Sequence, residues 1–289
     1  MSDMVAVYLD FDNVVISRYD NVHGNMAWRK DDPRAHVRNP TSGDPIDVKL
    51  AEAEIDIGAI IDYAASFGTV SISRAYADWS VPANASYKSE LMDRSLHLVQ
   101  LFTASGVKNG ADIRLAVDAV EDLMRHPEIS HVVLVAGDSD YVPLAQSCKQ
   151  QGRYVVGIGV AGATSRALVS ACNEFIDYSK LPGVSPPKVT PAKKTTAKKT
   201  TAKKTAAAKK ATPESAATDL LVRAIRVGLN KSDDDWIGAG GVKSQMQRMD
   251  PAFKEKSLGF TSFRAFVESR AKVVESRVSG NGQLEVRLP

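Results

Sequence analysis

Cysteine is almost missing from this chain. Only Cys148 and Cys172 occur in 289 residues, far apart and with no Cys or His close by. That excludes a disulfide framework and a zinc site of ordinary spacing, and both read as small buried hydrophobes. The five histidines, His23, His36, His97, His126 and His131, show no metal-ligand spacing either, so none is assigned chemistry. No apolar run approaches the roughly 20 residues that cross a bilayer. From Met1 the chain passes directly into the apolar Val5–Leu9 and then Asp10, without a basic stretch, a long apolar core or a small-residue cleavage site. The expectation is a cytoplasmic protein with no membrane partner.

Acid is missing from one stretch only. Residues 185–213 hold nine lysines and no Asp, Glu or Arg, although the whole chain carries a formal charge of +3. The remainder is therefore net acidic, and the basicity is local. Within this stretch AKKTTAKKTTAKKTAAAKK repeats every five residues without a large aliphatic or aromatic side chain. Such a segment has nothing with which to offset chain entropy and is expected to be a disordered, extended linker with affinity for polyanions. Lys193, Lys194, Lys198, Lys199, Lys203 and Lys204 are its candidate substrate-binding cations. A length of 289 residues suits one full-sized domain and a small one, so the division expected is residues 1–180, a basic linker at 181–213, and residues 214–289.

In the first part, apolar runs of buried-strand length occur at Val5–Leu9, Val70–Tyr76, Leu96–Phe102, His131–Ala136 and Tyr154–Ile158. Helical patterns separate them over Ala51–Phe67, Asp112–Met124 and Tyr141–Gln151. This alternation predicts an α/β fold: a mostly parallel sheet with helices on both faces and its site at the carboxyl ends of the strands. The polar stretch Ser17–Asp47, punctuated by Pro and Gly, reads as a long loop inserted after the first strand and lying over that site.

Three polar clusters begin where apolar runs stop. The first strand ends in Asp10-Phe11-Asp12-Asn13. The fourth ends in Gly137-Asp138-Ser139-Asp140-Tyr141, where Gly137 permits a sharp turn and Ser139 or Asp140 can cap the following helix. Between them, Lys108-Asn109-Gly110-Ala111-Asp112 puts an acid at a helix start. Acids from separate elements gathered on one sheet edge repel unless a cation neutralises them. Mg²⁺ or Mn²⁺, which prefer oxygen ligands and bridge phosphates, suit such a cluster. Asp10, Asp112 and Asp138 are thus the candidate metal ligands, directly or through water. Asn13 and Asp140 are expected to orient ligands or water, and Lys108 to meet a substrate phosphate. Plainer roles compete: Asp12 and Asp140 as helix caps, Asp112 as a first-turn acid favoured by the helix dipole. Asp118, with Glu121 and Asp122, reads as a solvated helix face.

LDFDN, KNGADIRLAVDAV and VAGDSDYVPLAQSCKQQGRYVVGIG together resemble the NYN domain, a branch of the PIN-like nucleases, in order and spacing over about the first 180 residues. The resemblance implies a PIN-like parallel sheet with its first and fourth strands adjacent. It also implies Mg²⁺- or Mn²⁺-dependent ribonuclease activity carried by Asp10, Asn13, Asp112 and Asp138. The C-terminal part has helical patterns at Ala217–Leu229 and Val242–Met249, then GFTSFRAFVES and an alternating strand Glu285–Leu288. It resembles the OST-HTH, or LOTUS, module, which implies a small winged helix (α+β) binding RNA or protein. Phe260, Phe263 and Phe266 read as its core rather than as a base-stacking platform. Lys243, Arg248, Lys254, Lys256, Arg264 and Arg270 supply charge for contacts to a nucleic-acid backbone.

The leading expectation is a metal-dependent ribonuclease, endonucleolytic in mode, with the linker and winged helix assisting RNA binding. Phosphate chemistry leaves DNA open as a substrate. One alternative is an RNA-binding adaptor without catalysis. Another comes from Asp10-Phe11-Asp12 and Gly137-Asp138, which also resemble haloacid-dehalogenase-type phosphatases; but Asn13-Val14-Val15 stands where that family has a small hydroxyl-bearing residue.

Overall fold

A computed structural model describes residues 3–39, 42–102, 110–184, 213–232, 234–280 and 282–289. The chain divides into two compact units, Met1–Pro187 and Lys188–Pro289. The basic repeat lies outside the described residues, as do Lys108 and the six candidate linker lysines.

The first unit is built on a six-stranded, all-parallel sheet: β1 (Met4–Asp10), β2 (Thr69–Ala77), β3 (His97–Gln100), β4 (Ile129–Val135), β5 (Tyr154–Gly159) and β6 (Glu174–Asp177), in the order β3-β2-β1-β4-β5-β6. Side chains alternate across a strand, so a strand covered on both faces reads as a continuous apolar run. β1 behaves in this way. Val5, Val7 and Leu9 enter one core, with Phe11, Ile57, Ile60, Val133 and Ile158; Ala6 and Tyr8 enter the other, with Leu115, Ala119, Val132 and Leu144. Burying each aliphatic side chain contributes about 1.5–3 kcal/mol, which anchors β1 on both of its faces. From β1 the chain winds outward to β2 and β3, then returns to β4 and winds the other way. The strand order therefore reverses between β1 and β4, where Leu9 pairs with Val135. A crevice opens at the carboxyl ends of such a pair.

Several expectations need correction. Ser17–Asp47 is no long loop. Helix α1 (Phe11–His23) begins at the end of β1, and α2 (Ala27–Asp31), a short turn at Pro33–Ala35 and α3 (Pro45–Glu52) follow. Residues 40 and 41 lie outside the description. The segment holds a small core of its own, Tyr19, Ala27, Leu50 and Ala53, which Trp28 and Ile46 help to cover. Sparse apolar residues hid this core because each short helix buries only one or two of them. The helix expected over Ala51–Phe67 is confined to α4 (Ile57–Ala64), started by Asp56, whose carboxylate accepts the Ala59 N–H. Strand β6, not foreseen, is short and only partly buried. Helices α5 (Pro82–Ala85) and α6 (Lys88–Asp93) complete the β2–β3 connection, while α7 (Gly110–Arg125), α8 (Val142–Gln150) and α9 (Arg166–Ala171) follow β3, β4 and β5.

Asp118 and Asp122 do not sit on a solvated face. Both are buried. Asp118 accepts from Tyr76 Oη at 3.1 Å and Arg114 Nε at 2.9 Å; Asp122 accepts from Tyr8 Oη at 3.1 Å and from Arg74 Nε and Nη2 at 2.9 and 2.7 Å. Cys148 and Cys172 are buried free thiols.

The second unit comprises α10 (Pro213–Asn230), β7 (Ile237–Gly238), α11 (Ala239–Met249), α12 (Phe263–Glu268), β8 (Glu275–Val278) and β9 (Leu284–Arg287), with an antiparallel sheet ordered β7-β9-β8. Its helices and wing enclose Leu220, Leu221, Ile225, Met246, Phe266 and Val286. Phe263 and Phe266 are core and Phe260 packs against them, as the helical spacing implies. Some of the expected cations are engaged within the module: Lys243 with Glu255, Arg264 with Glu268, and Arg270 over the Phe260 and Phe266 rings. Among the described residues no helix is long and apolar enough to cross a membrane.

Candidate active site

Asp10 is the last residue of β1 and the N-cap of α1. Its Oδ1 accepts the Asn13 N–H at 3.2 Å and its Oδ2 accepts the Tyr141 hydroxyl at 2.9 Å. Only 4 % of the residue is exposed. A carboxylate so placed loses its hydration, and burial pushes its pKa up to about 7; the two hydrogen bonds oppose the rise, while Asp112 and Asp12 reinforce it. Tyr141 is buried on the turn after β4; its hydroxyl donates to Asp10, with the Asp112 carboxylate close enough for its charge to be felt. Acids from β1 and α7 thus flank one hydroxyl. Burial, and then those two carboxylates, hold its own ionisation far above the ordinary phenol range.

Asp112 lies in the first turn of α7 and is partly buried. Its pKa is raised by burial and by the charges of Asp138 and Asp140, against the nearby Tyr141 hydroxyl. Asp138 itself is exposed. It caps the Ser139–Tyr141 turn, accepting the Asp140 N–H at 3.2 Å and the Ser139 hydroxyl at 3.3 Å. The expected caps, Ser139 and Asp140, do not play that part, and Tyr141, the residue before α8, makes no side-chain cap. Gly137 also has a reason other than a sharp turn. A Cβ there would meet the Ala163 carbonyl at 3.1 Å and Asn13 Oδ1 at 3.4 Å, and the Gly137 carbonyl accepts the Ser165 N–H at 2.9 Å. Close approach of the loop after β5, with Asn13 alongside, calls for the missing side chain.

These geometric facts coincide with the result of comparing families: the NYN domain matches residues 4–180, more than half the chain. The chain belongs to the NYN family. The fold of its first unit is accordingly of the PIN-like nuclease type. The OST-HTH/LOTUS domain, an RNA-binding type, matches residues 209–286. A similar protein is the uncharacterized protein MJ0482 of Methanocaldococcus jannaschii, 29% identical over 117 residues. That match takes in 40% of this chain and 45% of the relative, so the chain spans under half of that protein's length. A solved structure, a protein of unknown function, VPA0982, from Vibrio parahaemolyticus RIMD 2210633, aligns over 61% of this chain and 93% of its own at 19% identity. Its TM-score of 0.41 is too low to carry an argument.

Oxygen is the only donor type among the NYN unit's gathered side chains, which is the chemistry a hard divalent cation selects. Among the described residues no three His, Cys, Asp or Glu side chains stand together at metal-holding distances. Asp10 and Asp112 lie on either side of the Tyr141 hydroxyl, and Asp138 reaches Asp112 through its charge. A cation carrying its own waters fits such a spread of acids better than a fully dehydrated one.

Tyr141 and Asp78 escaped the sequence reading. Tyr141 follows Asp140 directly, and only the fold turns its hydroxyl toward two acids. Asp12 is held by Asn84 Nδ2 and, at 3.1 Å, by the Asp78 N–H. Asp78 in turn accepts Gln100 Nε2 at 3.0 Å and the Ser80 N–H at 3.1 Å. Asp12 therefore ties α1 to the end of β2 and does not cap α1. Tyr141→Phe removes the hydroxyl and leaves a buried Asp10 oxygen unpaired. It is expected to destabilise the unit by about 1–3 kcal/mol, measured as a lowered unfolding midpoint in urea.

Proposed function

We propose that the chain is a divalent-cation-dependent ribonuclease that hydrolyses RNA phosphodiesters internally. One observation carries this reading: a buried carboxylate at the strand-order reversal, pushed up to about 7, is hydrogen-bonded to a hydroxyl beside which a second acid from another element lies. Burial and charge repulsion oppose folding here, and a bound cation offsets both.

Asp10, Asp112 and Asp138 would hold Mg²⁺ or Mn²⁺, directly or through water. When bound, the ion supplies polarisation of the phosphate and a lowered pKa for an attacking water. Asn13, whose N–H already supports Asp10, and Asp140 would orient ligand and water. Lys108 would meet a phosphate near the bond to be cut. The linker cations Lys193, Lys194, Lys198, Lys199, Lys203 and Lys204, with the OST-HTH/LOTUS module, would raise the local concentration of RNA.

The deciding experiment incubates structured and unstructured RNA, and DNA of matching sequence, with the full chain in Mg²⁺, Mn²⁺ or EDTA. Internal cleavage of RNA that EDTA abolishes supports the reading. RNA binding with no cleavage in either metal would replace it with that of an adaptor, and a phosphoryl group trapped on Asp10 with that of a phosphatase. Deleting residues 188–210 is expected to raise KM several-fold at low salt and leave kcat nearly unchanged, because each phosphate contact contributes a counterion-release slope of about 0.7–0.9. An equal fall in kcat would assign the segment another role.

A further inference from the structure

An acidic crevice repels RNA over every surface that its cations do not cover, so the rim needs fixed positive charge. The helical segment after α1 supplies it. Helix α2 is followed by its C-cap Asp32, in the left-handed region with φ 45, a conformation that Asp tolerates better than most side chains. The chain then turns into Pro33–Ala35, where buried Pro33 fixes the turn and the turn packs against α5. Arg34 projects from this anchored turn toward Asp78, just beyond the end of β2. Its Nη2 lies 3.5 Å from Asp78 Oδ2, at the limit of a hydrogen bond, and half of its side chain is exposed.

Ser80 and Gln100 donate to the other oxygen of Asp78, so Arg34 meets Oδ2 alone, through one long contact. Arg34 has no other ion pair among the described residues. Its charge is nevertheless felt by both Asp12 and Asp78. Asp12 is two residues from Asp10, and Asp78 two residues beyond Tyr76, the register partner of Asp10. On the same short segment Arg29 and Lys30 are exposed, whereas Asp31 is turned to Lys49 and Tyr19.

We propose that Arg34 is a substrate-binding residue: its guanidinium leaves Asp78 to take, in two parallel hydrogen bonds, a phosphate of the RNA strand flanking the scissile bond. An arginine suits this task because its planar fork matches two phosphate oxygens. The proposal rests on the ribonuclease reading for its scissile bond, but phosphate binding can be measured without cleavage.

Two measurements on the full chain test it. In cleavage assays Arg34→Ala is expected to raise KM about tenfold with kcat within about twofold, and Arg34→Lys to recover part of the loss. In EDTA, with a fluorescein-labelled single-stranded RNA followed by anisotropy, Arg34→Ala should make the log Kd–log salt slope shallower by about 0.7, the share of one phosphate. The thermal midpoint should stay unchanged. An unchanged slope and KM, or a lowered midpoint with normal KM, would reduce Arg34 to a counter-charge for Asp78 and overturn the proposal. If the parent cleaves nothing in Mg²⁺ or Mn²⁺, the nuclease reading fails while the anisotropy result still decides the fate of Arg34.

Discussion

Asp10→Asn is expected to reduce RNA cleavage by on the order of a thousandfold or more, the several kcal/mol of transition-state stabilisation that a correctly held cation supplies, and yet to make the chain more stable above neutral pH. Both effects have one cause. Folding buries the Asp10 carboxyl and pushes its pKa up to about 7, against about 3.9 in an unfolded chain. Between those values the unfolded chain has lost the proton that the folded chain keeps, so stability falls as pH rises from about 4 to about 7 and is level beyond. An amide carries no charge at either end of this window. Its oxygen can accept the Asn13 N–H and its NH₂ can donate to the Tyr141 oxygen. With EDTA present, Asp10→Asn and the parent should melt together near pH 4, and the variant should gain up to a few kcal/mol by pH 8. Added Mn²⁺ should raise the parent's melting temperature and narrow the gap. Asp138→Asn, at an exposed position, should lose cleavage without gaining stability. If Asp10→Asn melts below the parent at pH 8, Asp10 is not a buried charge held against its preference, and the case for a cation there loses its support.

The largest loss of stability is expected at a residue with no part in the chemistry. Asp122→Ala should cost about 3–5 kcal/mol, because it strands the charged partner of a buried ion pair. The Arg74 guanidinium loses both arms of its fork and the fully buried Tyr8 hydroxyl loses its acceptor. Asp122→Asn keeps one acceptor and should cost less. Glu121→Ala, one position earlier and paired with Arg125 on an exposed surface, should change stability by no more than about 1 kcal/mol. Urea unfolding of the three variants measures the order directly; equal costs at 121 and 122 would contradict the burial that separates them.

Asp118, Glu121 and Asp122 show why part of this molecule was legible and part was not. In the sequence they are one acidic cluster on a helix. In the fold, α7 is pressed against β1 and β2, and Tyr8, Arg74 and Tyr76 reach up from those strands to meet two of the three. Periodicity locates an apolar face well, but it has no term for a carboxylate that a tyrosine or arginine from a distant strand will satisfy. The same limit hid the helices of residues 11–52, whose small core draws on Tyr19, Ala27, Leu50 and Ala53, too few and too scattered to form a pattern. It also hid Tyr141, since an aromatic residue after a strand looks like any other piece of core.

What the sequence by itself determined is the layout: continuous apolar runs that must be covered on two sides, the acids that end them, a winged module with its phenylalanines at helical spacing, and the boundary drawn by a lysine repeat. Those are consequences of local composition and of the two- and 3.6-residue periods. Only the tertiary structure decided that Asp10 is buried while Asp138 is exposed, and that Asp10 and Asp112 flank one hydroxyl. Desolvation and hydrogen bonding act between groups far apart in the chain, Asp10 and Tyr141 being 131 residues apart, and their sign at each carboxylate is set by what the fold brings against it.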